Sequence, residues 1–341
     1  DDLTDEDIRA IEDKGYLRLE RDVLLPLLIK SANYWEQLMT PEYYTDSNGS
    51  IHYEAGKTAL ADDEYYCILP SYSPENNPSN YPSPSDANAA IDIAACRDNL
   101  NMLLSVIKDT APETDTAKWE YMLRKRPPYL FDKTGALKEW ACSQFEENNE
   151  HRHLSHLYCV WPLFETQNDE RLKSACIQAI NNRTSENEAS HALVHRSLIA
   201  ARLKDRTSLT SALVKLQNHK IRYPSLMTNH DYDQRSCYCT DFAIGYLGIV
   251  NEALVFSNKN EIEILPALFE SGFDAGEITG IKARTRATVD SLRWDLQSKT
   301  AQVTVTSDID QTITVSCGLS DKTETLTFRA GETKTVDFVL N

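Results

Sequence analysis

The spacing of the apolar residues changes once along the chain, near residue 261, and this change constrains the fold more than any other feature. Before it, apolar residues recur at intervals of three and four, which is typical of helices with one buried face. From Ile278 onward they alternate with polar residues, as in Val303 and Val305, and this predicts short strands. We therefore predict a mainly α fold, with a helical domain over 1–260 and an all-β domain with β-sandwich spacing over 261–341.

The helical part is predicted to form paired antiparallel helices, because strand signals between the helical stretches are missing. The stretch 40–87 is different: it holds six of the thirteen prolines, and long loops of this kind commonly line binding sites. Asp86, at its end, is predicted to cap the following helix. The predicted helices span 20–38, 89–107, 114–125, 153–165, 169–181, 190–203, 208–218 and 240–257.

The charge of the chain limits its partners. The 341 residues carry a formal net charge of −17, whereas nucleic acids and anionic membrane surfaces bind patches of Lys and Arg. Apolar runs of membrane-spanning length are also missing from the sequence. The composition therefore favours a neutral substrate over a nucleic acid or a membrane.

The cysteines and two glycosylation motifs bear on the cellular compartment. The eight cysteines show no CxxC pair, which disfavours a structural zinc site, and their even number permits disulfides without requiring them. Asn48-Gly49-Ser50 and Asn182-Arg183-Thr184 are acceptor motifs for N-glycosylation. They predict glycans on Asn48 and Asn182, and hence a secreted protein.

Three histidines and an arginine lie together in His151-Arg152-His153-Leu154-Ser155-His156. Burying such a group is costly unless it binds something polar. The histidines could ligate a metal, but the sequence offers no carboxylate or cysteine partner at helical spacing, and Arg152 cannot ligate one. We favour recognition of sugar hydroxyls by Arg152 and His153, with core packing for at least one histidine. His156, predicted on the same helix face as His153, is the candidate for that core position.

Two carboxylic acids could carry out acid–base chemistry. Glu75 follows Pro74 in the long loop, where a rigid backbone could aim it at a leaving-group oxygen; partial burial would raise its pKa and suit it to act as a general acid. Asp241 begins an apolar helix, where it could cap the helix or project into a cavity. His191 and His195 lie four residues apart and share a helix face, which meets either substrate or core.

The order of several motifs resembles the C-terminal half of glycoside hydrolase family 95, the inverting 1,2-α-L-fucosidases. "LLPLLIKSANYW" leads to "SPEN", then to "AAIDIAACRDNL" and "DKTGALKEW", and then to "HRHLSHLYCVWP". "LIAARLKD", "DFAIGYLGIVNEAL", "EIEILPAL" and "GEITGIKAR" follow in the same order. The motifs "SPEN" and "HRHLSHLY" are the most specific, and the resemblance extends from about residue 20 to the end.

The resemblance implies part of an (α/α)6 barrel followed by a β domain, and an enzyme without a cofactor. It assigns Glu75 as the general acid, Arg152 and His153 as sugar ligands, and Asp241 as a group that helps activate water. The implied reaction removes terminal α-L-fucose from a fucosylated glycan with inversion, for which the two carboxyl groups typically lie about 6.5–9.5 Å apart.

The chain also departs from the family pattern. The Asn-x-Asn segment that holds the water, the N-terminal β domain and the first barrel helices are absent, so we expect a second chain or an N-terminal region to complete the barrel. The family's Asp-Gly-Asn-Phe-Gly is replaced at residues 241–245, and the different hydroxyl partners there favour a sugar related to fucose, such as L-galactose. The alternative hypothesis is an inactive descendant that serves as a structural or carbohydrate-binding glycoprotein.

Overall fold

The structure is a computed structural model that describes residues 19–83, 85–184, 188–217, 221–225, 227–230 and 237–341. The chain divides into two compact units, Asp1–Asn182 and Arg183–Asn341. Each unit is described by itself. The helical first part and the strand-rich C-terminal region of the sequence prediction are confirmed.

Helices dominate the described part of the first unit and pack around one apolar core. The core takes Trp35 from the first helix, Leu100 from the second and Trp119 from the third. The helices are a π-helical segment Glu20–Leu24, α1 (Leu25–Leu38), α2 (Ala90–Thr110), α3 (Ala117–Lys125), a 3-10 helix Ser155–Cys159 and α4 (Glu170–Asn182). Four of the predicted helices, 20–38, 89–107, 114–125 and 169–181, are therefore confirmed.

Three local predictions in this unit are wrong: the loop over 40–87, the Asp86 cap and the helix over 153–165. Residues 40–87 contain a small antiparallel sheet as well as loop, with the order β2-β1-β3; its strands are β1 (Tyr43–Thr45), β2 (Ile51–Tyr53) and β3 (Tyr65–Tyr66). Asp86 does not cap α2, because its carboxylate accepts a hydrogen bond from the Trp140 indole at 2.6 Å.

The predicted helix 153–165 is reduced to the short 3-10 helix. His153 precedes that helix, so it does not share a helix face with His156.

In the second unit, α5 (Ser190–Leu203), α6 (Arg206–Leu216) and α7 (Thr240–Leu254) confirm the predicted helices. The predicted helix 240–257 ends earlier, because the chain turns into a strand at Val255. A Cβ atom added at Gly245 of α7 would lie 2.6 Å from Val194 Cγ1 of α5, whereas one added at Gly248 would lie 3.7 Å from Leu198 Cδ2. Glycine is thus required for the close helix contact at Gly245 only.

The strands of the second unit form two four-stranded sheets with the orders β10-β9-β5-β4 and β11-β8-β7-β6. All neighbouring strands pair antiparallel except β5 and β9, which pair parallel. The strands are β4 (Val255–Asn258), β5 (Glu261–Ile264), β6 (Ala275–Ala283), β7 (Ala287–Asp295), β8 (Thr300–Ser307), β9 (Gln311–Cys317), β10 (Thr323–Phe328) and β11 (Thr333–Val339).

Both sheets contribute to a single hydrophobic cluster. Val303 and Val305 of β8 are fully buried in it together with Ile313 and Val315 of β9. The alternating residues that predicted the strands are therefore the residues that form this core. Leu254, the last residue of α7, belongs to the same cluster.

Candidate active site

Glu75 lies in an exposed position beside two residues of the His-Arg-His motif. Its Oε2 atom accepts a hydrogen bond from Arg152 Nη2 and lies 3.4 Å from His153 Nε2. The Glu75 side chain is 59% exposed, whereas those of Arg152 and His153 are 23% and 21% exposed. The structure therefore brings together a solvent-accessible carboxylate and two partly buried nitrogen donors that are 77 and 78 residues away in sequence.

The charge environment of Glu75 differs from the one expected from sequence. The Arg152 guanidinium lowers the pKa of Glu75; burial opposes this, and His153 and His151 lower it further. Burial acts on Glu75 in the direction that the sequence argument assumed, but the opposite charge of Arg152 in direct contact outweighs it, so the pKa is lowered overall. The carboxyl group is ionised at neutral pH in this arrangement.

The loop before Glu75 is fixed to the start of α2. Ser71 Oγ donates to Asp92 Oδ2 at 2.6 Å, and the Tyr72 amide donates to the same oxygen at 3.2 Å. Ser71 Oγ also accepts from the Ala89 amide at 2.9 Å. Burial raises the pKa of Asp92. The backbone that leads to the candidate acid is thus set by side chains of a helix.

A fully buried acid, Glu139, holds the residues on either side of Glu75. Ser73 Oγ donates to Glu139 Oε1 at 2.6 Å, and Asn76 Nδ2 donates to Glu139 Oε2 at 2.8 Å. The Glu139 side chain is fully buried. On the other side of the loop, Ser155 Oγ donates to the Pro74 carbonyl.

The other two histidines of the motif are buried. The ring centroid of His151 lies 5.1 Å from that of His153, and His156 lies inside the 3-10 helix with 3% of its surface exposed. Within the described residues, no group of three or more His, Cys, Asp or Glu side chains could hold a metal ion.

In the second unit, Asp241 lies in the first turn of α7 and is exposed. Its charge raises the pKa of His195, but burial of the imidazole has the larger effect and lowers that pKa overall. His191 is buried, with its ring centroid 4.8 Å from that of His230. Because Asp241 and Glu75 belong to different units, their convergence on one sugar stays a prediction.

The predicted glycosylation sites differ in their surroundings. Asn48 lies exposed in a turn, whereas the Asn182 side chain donates to Thr134 Oγ1 at 3.0 Å and accepts from Gln178 Nε2 at 2.8 Å. All eight cysteines are free thiols in this structure. Among the described residues, no helix combines the length and apolar character needed to cross a bilayer.

Sequence profiles account for almost the whole chain. The glycosyl hydrolase family 95 catalytic domain matches residues 13–254, and the C-terminal domain of the same family matches residues 256–339. The chain belongs to glycosyl hydrolase family 95. The family resemblance inferred from the sequence motifs is thereby confirmed.

A curated relative is similar to part of this family 95 chain. Alpha-L-fucosidase 2 of Arabidopsis thaliana is 26% identical over 248 residues, which cover 68% of this chain and 29% of the plant protein. The chain thus spans less than a third of the length of that relative.

Two solved structures are similar to the chain at low sequence identity. One is described as a kojibiose phosphorylase from the human microbiome, with 10% identity, a TM-score of 0.49 and coverage of 81% of this chain and 43% of the other. The other is a GH127 β-L-arabinofuranosidase from Geobacillus stearothermophilus, with 11% identity, a TM-score of 0.32 and coverage of 72% and 53%.

Sequence reasoning about this family 95 chain missed Glu139 and Glu147. Burial raises the pKa of Glu147 to about 7, and its Oε2 atom accepts from the Glu139 amide at 2.8 Å. The available signal was an acid in a short stretch with buried apolar residues at both ends: Glu139 directly precedes Trp140 and lies two residues after Leu137. Such an acid must have nearby donors to be buried.

Proposed function

We propose that this chain is the C-terminal part of a glycosidase that removes terminal α-L-fucose, or a related sugar such as α-L-galactose, from glycans with inversion. Its helices belong to an (α/α)6 barrel, and its two sheets form a β-sandwich. The observation that carries the proposal is the exposed Glu75 carboxylate in contact with Arg152 and close to His153. Family membership supports the class of reaction.

In the proposed reaction Glu75 protonates the glycosidic oxygen, so it must hold a proton when the substrate is bound. The contact with Arg152 lowers the pKa of Glu75. Sugar hydroxyls that accept hydrogen bonds from Arg152 and His153 would draw these donors away from the carboxylate, and the sugar would shield it from water. Both changes raise the pKa of Glu75, so substrate binding itself prepares the acid.

Asp241 is proposed to help activate the water that attacks the opposite face of the sugar. Its exposed position at the start of α7 supports this role, as does the location of His195 near enough for the Asp241 charge to act on the imidazole. His191 and His156 are buried and are proposed to support the site from the core.

A second chain or an N-terminal region is proposed to complete the barrel. The surface of α1 and the π-helical segment before it supports this, because apolar side chains there face solvent, with Leu27 57% and Tyr34 56% exposed. Val23 and Leu24 of the same stretch are also exposed, and a group of exposed apolar side chains supports a site of interaction. The short coverage of the Arabidopsis relative agrees with a missing part.

We further propose a secreted glycoprotein with Asn48 as the preferred acceptor, since Asn48 is exposed and the Asn182 amide is engaged in hydrogen bonds. Expression through a eukaryotic secretory pathway should add a glycan that peptide-N-glycosidase removes. Asn48→Gln should abolish most of this mass shift, and an unchanged shift would contradict the assignment.

The test of the reaction uses the chain together with the region that completes it. Glu75→Gln should reduce hydrolysis of 2'-fucosyllactose by about 10²–10⁴-fold, while binding of fucose persists. NMR detection of the first-formed anomer should show β-L-fucose in the wild type. Unchanged turnover in Glu75→Gln would refute the acid assignment, and initial release of the α anomer would refute inversion.

The alternative is a catalytically inactive, carbohydrate-binding descendant. The lowered pKa of Glu75 favours it, as does the replacement of the family's Gly-Asn by Phe242-Ala243 after Asp241. Binding of fucosylated oligosaccharide by the completed wild-type protein without any turnover would select this alternative.

A further inference from the structure

Glu139 contacts the Glu75 loop at two points. One carboxylate oxygen accepts from Ser73 Oγ at 2.6 Å and the other from Asn76 Nδ2 at 2.8 Å. Ser73 lies two residues before Glu75 and Asn76 lies directly after it. Both hydrogen bonds join a buried side chain to residues within two positions of Glu75, so Glu139 restrains the short backbone segment that carries Glu75.

Glu139 is itself held in place through its own backbone amide and carbonyl groups. Its amide donates to Glu147 Oε2 at 2.8 Å, and its carbonyl accepts from the Ala90 amide at 2.9 Å. Ala90 is the first residue of α2. A continuous set of hydrogen bonds therefore connects the start of a long helix to the loop.

The loop is also folded tightly between the two points of contact. The Asn76 amide donates to the Ser73 carbonyl at 2.7 Å, and Asn76 Oδ1 accepts from Asn148 Nδ2 at 3.0 Å. Arg152 contacts the Glu75 carboxylate. The backbone of Glu75 and its side chain are thus held by different residues. Of these residues, only Arg152, which contacts the side chain, is also proposed to bind the sugar.

We propose that Glu139 is the positioning residue for the general acid, which it holds in place through Ser73 and Asn76 without touching the substrate. The inference rests on the proposed function of Glu75. Proton transfer requires the acid to lie within about 2.6–3.2 Å of the oxygen it protonates, and a misplacement of about 1 Å can reduce the rate by about 10²-fold. A buried anchor satisfies this requirement while leaving Glu75 exposed to the sugar.

Two substitutions separate positioning from charge. Glu139→Ala removes both acceptors. Glu139→Gln keeps the shape: its amide oxygen can accept from Asn76, and its amide nitrogen can donate to Ser73 Oγ, which also accepts. Glu146→Gln is the matched control, since Glu146 is an exposed glutamate in the same stretch of chain.

The assay compares two substrates in the completed protein. 2'-Fucosyllactose has a poor leaving group that needs a proton, whereas 2,4-dinitrophenyl α-L-fucoside has a leaving group that departs without one. Glu139→Ala should lower kcat on the oligosaccharide by about 10²-fold and change kcat on the aryl substrate and KM on both far less. Glu139→Gln should restore most of the loss, and Glu146→Gln should behave like the wild type.

An equal loss on both substrates, or no loss on either, would overturn the inference. A second measurement needs only this chain: hydrogen exchange at the Asn76 amide should accelerate at least tenfold in Glu139→Ala, with exchange across α2 unchanged. Unchanged exchange at Asn76 would also overturn it.

Glu75→Gln serves as the reference variant. If Glu75→Gln and Glu139→Ala both keep full activity on the oligosaccharide, the proposed function fails. If only Glu75→Gln shows the selective loss, the positioning role alone fails.

Discussion

Glu252 forms a buried ion pair that offers a sharp test of what holds the second unit together. Its Oε1 atom accepts from Arg202 Nη2 of α5 at 2.8 Å, and the two side chains are 8% and 1% exposed. Arg284, which is 44% exposed, contacts the same oxygen. Burial lowers the pKa of Arg202, and Glu252 partly offsets this. We predict that Glu252→Gln destabilises the unit, because the buried guanidinium loses the negative charge that Glu252 supplies.

The size of the effect follows from the burial. Removing one partner of a buried pair costs about 3–5 kcal/mol. We expect the lower end, about 3 kcal/mol, because glutamine keeps one acceptor oxygen and Arg284 reaches solvent. For a unit of about 160 residues, this lowers Tm by roughly 6–12 °C. Differential scanning calorimetry at neutral pH measures the shift.

The matched control is Glu277→Gln, which removes an exposed ion pair with Arg293 in the same unit. Exposed pairs contribute about 0–1 kcal/mol, so Tm should change by at most about 4 °C. The double variant Arg202→Met/Glu252→Met should regain much of the stability, since a well-packed apolar pair can replace a buried ionic one. Equal shifts in Glu252→Gln and Glu277→Gln would refute the reasoning.

Three further predictions concern single groups. Burial raises the pKa of Asp86 from 3.8 to about 7, so the stability that protonated Asp86 contributes is lost as pH rises from about 4 to about 7. The urea midpoint of Asp86→Asn should therefore rise relative to that of the wild type between pH 5 and pH 8. A difference between the two midpoints that stays constant with pH would contradict this. Arg152→Gln should raise the pKa of Glu75 in a ¹³C NMR titration, because Arg152 is the main cause of its lowering; an unchanged titration would contradict it. Gly245→Ala should destabilise the chain by about 1–3 kcal/mol through overpacking, whereas Gly248→Ala should stabilise it by about 0.5–1 kcal/mol; equal shifts in thermal unfolding would disprove the packing argument.

The regular elements were predictable because their signals are local. Apolar residues at helical spacing and at alternating spacing depend only on which face is buried, and the helices and strands follow them. The helix predicted over 153–165 fails because Pro162 lacks an amide hydrogen and disfavours helical backbone at Trp161. The small sheet in 40–87 was missed because strands of two or three residues are too short to show alternation.

The candidate site was predictable only in part, because it depends on contacts between distant residues. Glu75, Arg152 and His153 were named from motifs, and the structure brings them together. Asp86 looked like a local cap, but its partner Trp140 lies 54 residues away. Glu139 went unassigned because nothing near it in sequence reveals Ser73 and Asn76 as its donors. The net lowering of the Glu75 pKa was equally hidden, because its main cause, Arg152, lies 77 residues away in sequence.

The direct connection between α7 and strand β4 has a mechanical consequence for the position of Asp241. Leu254 and Val255 join the helix to β4 inside the hydrophobic core, and Asp241 lies at the opposite end of the helix, about 20 Å away at 1.5 Å per residue. A tilt of about 5° at the sheet end would move Asp241 by roughly 2 Å over that length. Substitutions deep among the strands can therefore shift, from a distance, the carboxylate that is proposed to activate water.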